Sequence, residues 1–322
     1  MTEVKHRAER LMEEGFEALG ESDAKRAKRI AKELKKLRHS SAFEILAQAY
    51  VAEDRPEDAV KTLEEGVGLA PTVWRLWQLL GNVHSDLERY EDSATCYRRA
   101  LECPATDTSS IHLNMAIALA RQEKHAEALE ALEGVTEEAC HLRRTAMTLD
   151  LLNSLGRHGE ARALGEQAVA VESREEQDNA SMAGIYAGLG RALWEEGRQA
   201  GAASEWAWKA IGLEKNQTTA LWLLREMRCQ LSPSARHMRL LVRGRWHEPV
   251  GSEGEPPGFY VTYEVVADSK DEAMNLIRPF EPEPVRPSLV LEECEILGDV
   301  PDQPKGVTEA PSAYDYFSWE DD

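Results

Sequence analysis

Between residues 40 and 71, "SSAFEILAQAYVAEDRPEDAVKTLEEGVGLAP", apolar residues recur at helical spacing in two runs, so the segment reads as two amphipathic helices. Shifted by 34 positions it meets "TVWRLWQLLGNVHSDLERYEDSATCYRRALECP". Phe43 then meets Trp77, Leu46 meets Leu80, Ala47 meets Gly81 and Tyr50 meets His84. In the second run Ala59 meets Ser93, Leu63 meets Tyr97 and Gly66 meets Ala100. Large and small positions follow one fixed order, and the small ones let two helices approach closely. Pro71 and Pro104 punctuate the units, because proline cannot continue a helix interior.

The pattern continues along the chain. Ala116 and Ala128, then Ala161 and Ala168, hold the small positions of two further units. "IYAGLGRALWEEGRQAGAASEWAWKAIGLE" adds a unit with Tyr186, Leu189, Gly190, Gly197, Ala202 and Trp206, after an insertion placed within 172–181. A degenerate hairpin precedes the array over about 5–38, and "TTALWLLREMRCQL" reads as its capping helix. The period and the large-small order together resemble the tetratricopeptide repeat (TPR) family over residues 5–231. The resemblance implies a mostly α chain, a TPR-like α-solenoid of helical hairpins.

From residue 236 the helical period gives way to alternation. Met238, Leu240 and Val242 alternate with Arg239, Arg243 and Arg245, and Phe259, Val261, Tyr263 and Val265 share one face, so both stretches read as strands. "DSKDEAMNLIRPF" opens a helix with Ser269 and Glu272 in capping-box spacing, and "SLVLEECEIL" reads as a third strand. The expected organisation is a basic hairpin at 1–39, a TPR array with its capping helix at 40–231, a small α/β domain (β-β-α-β) at 236–297, and an acidic aromatic tail at 298–322. Proline and acid in the tail predict disorder.

Charge changes this picture at both ends. The chain carries a formal net charge of −20. Residues 1–39 hold 11 Lys+Arg against 8 Asp+Glu, whereas 248–322 hold 4 against 19. Lys25, Arg26, Lys28, Arg29, Lys32, Lys35 and Lys36 are expected to form a basic surface on the second helix of the first hairpin, either a solvated face or a contact for an acidic partner or for the chain's own acidic end. In the tail, Tyr314, Tyr316, Phe317 and Trp319 stand among acids as a docking peptide, which offers a route to self-association. The acidic balance argues against nucleic acid as the main partner. Five cysteines without a CxxC suggest neither a disulfide framework nor a zinc site, and no apolar run approaches a membrane span. These features predict a cytoplasmic protein.

No HExxH, GxxxxGK[ST] or GxSxG motif occurs, so no catalytic residue, metal or cofactor is nominated. "GLGRAL" is accounted for by the repeat. Function therefore falls to the groove that the TPR resemblance implies, lined by Arg75, Gln78, Asn82, Asn114, Arg121, Arg143, Met147, Arg191 and Trp194. TPR co-chaperones grip a terminal carboxylate with two asparagines and several basic residues. Asn82, Asn114 and Arg143 match that clamp, while Gln78 and Met147 stand where it has basic residues. The expectation is a non-enzymatic adaptor or scaffold that binds a protein or peptide partner. The alternative is an immunity-type inhibitor that neutralises one toxin or enzyme.

Overall fold

The computed structural model describes residues 2–170, 178–246 and 257–317. The chain is mostly helical, with fourteen α-helices and five strands among these residues. It divides into two compact units, Met1–Arg144 and Thr145–Asp322.

The first unit is built from hairpins: α1 (Thr2–Gly20) with α2 (Ala24–Lys36), α3 (Ser41–Val51) with α4 (Pro56–Leu69), α5 (Trp74–Asp86) with α6 (Tyr90–Leu101), and α7 (Thr108–Arg121) with α8 (His125–Glu133). The first residues of α9 (His141–Ser154) end the unit. Each hairpin reverses through one left-handed residue: Ser22, Asp54, Glu88 and Glu123, at φ 58° to 60°. The following amide bonds back across the turn, as Arg55 does to the Tyr50 carbonyl at 2.9 Å and Arg89 to that of His84 at 2.8 Å. These are Schellman-type closures, and their hydrogen bonds offset the roughly 1–2 kcal/mol that a left-handed conformation costs a residue with a Cβ. The small positions are fully buried: Ala47, Ala59, Ser93, Ala116 and Ala128 are each 0% exposed. At Gly81 the approach is close, since a Cβ there would lie 2.7 Å from the buried Tyr97 ring.

The second unit continues with α10 (His158–Ala170), α11 (Asn179–Gly197), α12 (Ala200–Leu213) and α13 (Thr218–Arg228), then turns to a sheet. The insertion expected within 172–181 falls largely on 171–177, outside the described residues. β1 (Arg236–Arg245), β2 (Gly258–Ala267) and β3 (Val290–Asp299) are antiparallel in the order β3-β1-β2, with α14 (Lys270–Ile277) between β2 and β3 in sequence. Ser269 Oγ accepts from the Glu272 amide at 3.2 Å, and Glu272 Oε2 accepts from the Asp268 amide at 2.8 Å, so the capping signature forms with its reciprocal bond one residue early.

The tail departs from expectation. β4 (Gly306–Glu309) pairs with Glu264–Val266 of β2, and β5 (Asp315–Phe317) pairs with Gly258–Tyr260 of the same strand. Composition predicts disorder because the segment is too polar to bury a core of its own. It does not need one: a few residues add to the free edge of β2 and borrow an existing core, where Val307 and Ala310 are buried. Nor do residues 236–297 stand apart from the array. Ala183, Leu189, Ala207, Leu221 and Leu223 of the helices share one apolar cluster with Met238, Leu240, Phe259, Val261 and Tyr263 of the sheet. The capping helix α13 thus packs on strands.

Candidate functional site

In the first unit, Leu76, Leu80 and Val83 bury one side of α5, and Ile111, Leu113 and Ala116 bury one side of α7. Asn82 and Asn114 lie off those apolar stripes and are half-buried. The two asparagines meet: Asn114 Nδ2 donates to Asn82 Oδ1 at 3.3 Å, and the Tyr97 hydroxyl donates to the same oxygen at 2.8 Å. Tyr97, on α6, is 1% exposed and packs where Gly81 leaves room. Sequence reading treats Tyr97 as a packing position only. Its pairing with a glycine in the preceding helix is the signal that its hydroxyl crosses to Asn82. Among the described residues the two amides make no other side-chain hydrogen bonds. Rotating both amides end for end exchanges their roles but still leaves donors on one asparagine and an acceptor on the other. That is the pairing a peptide group requires.

Three arginines of this unit are available to an anion although the unit is net acidic. Arg75, Arg121 and Arg143 are exposed and form no ion pair among the described residues. Arg75 lies 5.4 Å from the Trp74 ring centroid. Burial raises the pKa of the Glu44 carboxyl, and the charge of Arg75 opposes that rise. Gln78 is half-buried on α5, a neutral group where the clamp has a cation.

In the second unit, Arg191 and Trp194 sit one turn apart on α11, both half-buried. The Arg191 guanidinium lies 5.4 Å from the Trp222 ring centroid and 3.5 Å from Asp150 Oδ1. Arg191 Nε and Trp194 Nε1 are buried donors without a hydrogen-bond acceptor among the described residues. Arg198 stacks on the Trp194 ring at 4.6 Å. Met147 is half-buried on α9.

The basic helix is largely neutralised within its own unit. Arg26 pairs with Glu17 and Glu21, Lys36 with Glu33, Lys28 with Glu53 at 2.5 Å and Lys35 with Glu65 at 2.7 Å. Lys28 and Lys35 also lie over the Tyr50 and Phe43 rings. Apart from Glu33 on α2 itself, these partners come from α1, the turn after it and the region of α4, which a charge count over residues 24–38 does not reveal. Lys25, Arg29 and Lys32 stay exposed and unpaired among the described residues.

The aromatic tail docks on its own sheet. Tyr314 contacts the rings of Phe259 at 4.9 Å and Trp246 at 5.5 Å, and Phe317 stacks on Tyr260 at 4.9 Å. Two of the expected docking residues are therefore spent on the fold, while Tyr316 is 52% exposed. Trp319 lies outside the described residues. The Tyr314 hydroxyl donates to Glu281 Oε2 at 2.8 Å, and Tyr263 donates to Glu281 Oε1 at 2.5 Å. Lys215, from the turn between α12 and α13, reaches the same carboxylate at 2.9 Å and also contacts the Tyr314 hydroxyl. Burial pushes both tyrosines up and Lys215 down, and the Glu281 contact opposes the fall at Lys215. No sequence motif marks this cluster, whose members are spread over a hundred residues.

Comparison with known proteins agrees with the helical-repeat fold. Residues 45–110 and 79–140 match a tetratricopeptide repeat family model. PilF of Pseudomonas aeruginosa superposes with a TM-score of 0.53 at 16% identity, over 69% of this chain and 99% of that one. A tetratricopeptide repeat protein from Parabacteroides merdae gives 0.53 at 12% identity, over 69% and 85%. YrrB, described as a TPR protein with an unusual peptide-binding site, gives 0.48 at 18% identity, over 59% and 94%. At these identities the two likenesses at 0.53 speak for the fold alone. No curated protein matches the sequence. Residues 45–140 are tetratricopeptide repeats.

Proposed function

We propose that this tetratricopeptide repeat protein is a non-enzymatic adaptor that holds an extended segment of a protein partner against the first unit. The Asn82–Asn114 pair carries the reading. The two side chains are fixed by each other and by Tyr97, so little rotamer entropy is lost on binding. They leave a donor and an acceptor for one peptide group of the ligand. Unpaired Arg75, Arg121 and Arg143 favour an acidic segment or a terminal carboxylate, with arginine able to make a bidentate contact. Free cysteines at Cys96, Cys103, Cys140, Cys229 and Cys294 support a reducing, cytoplasmic setting. No described helix is long and apolar enough to cross a membrane.

A photo-crosslinking amino acid in place of Gln78 should capture the partner from host extract. Titration of that partner into Asn82→Ala and Asn114→Ala proteins should then show affinity lost by about 1 kcal/mol per contact removed. Wild-type affinity in both variants rules out this surface. The same titration separates an adaptor, binding at micromolar level, from an inhibitor that binds one partner far more tightly.

A further inference from the structure

We infer a second docking site, in the second unit, for an acidic protein segment that carries one bulky apolar side chain. The site goes beyond the asparagine pair and does not depend on it.

Between the last hairpin, α13 and α14 the packing leaves a groove of about 490 Å³. That volume lies within the roughly 300–1,000 Å³ range of ligand clefts. Trp208 and Phe280 line it, with ring centroids 5.0 Å apart in an edge-to-face pair. Leu224 and Met227 line it from α13, both half-buried. Aromatic rings and methionine make a surface that accepts side chains of varied shape. Room is left by α12, where Gly201 and Ser204 face the groove. A Cβ built on Gly201 would meet nothing within 4 Å, so the glycine is not required by internal packing.

Charge selects the occupant. In a chain of net charge −20, the groove is lined by Arg225 and Arg228 and by no carboxylate. Arg225 is anchored, its Nε donating to the Pro304 carbonyl at 3.1 Å. Arg228 is exposed and pairs with no carboxylate among the described residues. An acidic segment would meet these cations while its apolar residue enters beside Trp208 and Met227. Beyond about 10 Å at moderate salt the repulsion from the acidic remainder of the protein is largely screened, so recognition rests on the short-range, salt-sensitive contacts with these arginines.

The test uses the full chain and acetylated, amidated acidic dodecapeptides identical except for one central residue, Trp, Leu or Ala. Methyl-labelled methionine is followed by NMR. The Trp and Leu peptides should shift the Met227 methyl signal saturably, and the Ala peptide should bind at least ten-fold more weakly. Gly201→Trp, which fills open space, should abolish the shift while its unfolding midpoint stays at the wild-type value. Arg228→Glu should weaken binding several-fold at low salt. Asn82→Ala should leave the titration unchanged. An unmoved Met227 signal with the Trp peptide at millimolar concentration overturns the site. So does a Trp peptide that binds Gly201→Trp or Arg228→Glu as it binds wild type, or an Ala peptide that binds as the Trp peptide does.

Discussion

In residues 1–144 charged side chains pair at the surface, whereas in 145–322 one carboxylate, Glu281, is only 1% exposed and is held by Tyr263, Tyr314 and Lys215. The first unit repeats one supersecondary motif, so each hairpin buries its apolar face on the next. The second unit ends that repetition. It buries the last helices against strands and fastens the join with a polar cluster. A surface pair such as Lys35–Glu65 is solvated with or without its partner and contributes little. A buried carboxylate must keep its partners, because an uncompensated charge in the interior is costly.

The largest expected effect follows from this contrast. Glu281→Ala leaves half-buried Lys215 without its counter-charge and the buried Tyr263 hydroxyl without its acceptor, and should destabilise the second unit by about 3 kcal/mol. Hydrogen exchange should localise the loss to residues 145–317 and leave the first unit protected. Uniform loss of protection across both units would break the comparison.

Next comes packing in the first unit. Gly81→Leu drives a side chain into the Tyr97 ring, 2.7 Å from where its Cβ must stand. Overpacking of this kind costs about 1–3 kcal/mol, read from urea unfolding. The asparagine pair should be disturbed with it, since Tyr97 holds Asn82.

A pH effect should also belong to the first unit. Burial lowers the pKa of His84 and His112 below the ordinary value of about 6.5. The folded unit therefore refuses protons that the unfolded chain takes up as pH falls below about 6.5. Stability should decline from there until the depressed folded values are reached, then stop falling on this account. Urea midpoints at pH 7.5 and pH 5.5 measure the drop, and His84→Gln with His112→Gln should shrink it. An undiminished slope in the double variant assigns the effect elsewhere.

The smallest effect is expected where charge is most conspicuous in the sequence. Lys35→Ala removes a partly exposed pair and should change stability by less than about 1 kcal/mol. A larger loss would show that the basic helix does structural duty beyond solubility.

Much of the fold was legible because repeats are local. The shift that aligns Ala47 with Gly81 and Leu63 with Tyr97 needs only neighbouring segments, and the helix bounds follow from it. The strands at 236–245 and 258–267 were legible for the same reason, since alternation of buried and exposed side chains is a property of adjacent residues. Of the candidate site, Asn82 and Asn114 could be named from their places in the repeat. That they touch, with Tyr97 behind them, could not.

The sequence by itself determined the repeated hairpins, the change from helix to strand after residue 231, and the opposite charge of the two ends. Only the tertiary structure decided how those charges are spent. Lys28 and Lys35 meet acids brought beside them by chain reversal, and Tyr314 meets Glu281 and Lys215 across long separations. The physical reason is range: periodicity records which side of an element is apolar, whereas pairing of polar groups depends on distances that exist only once elements have packed.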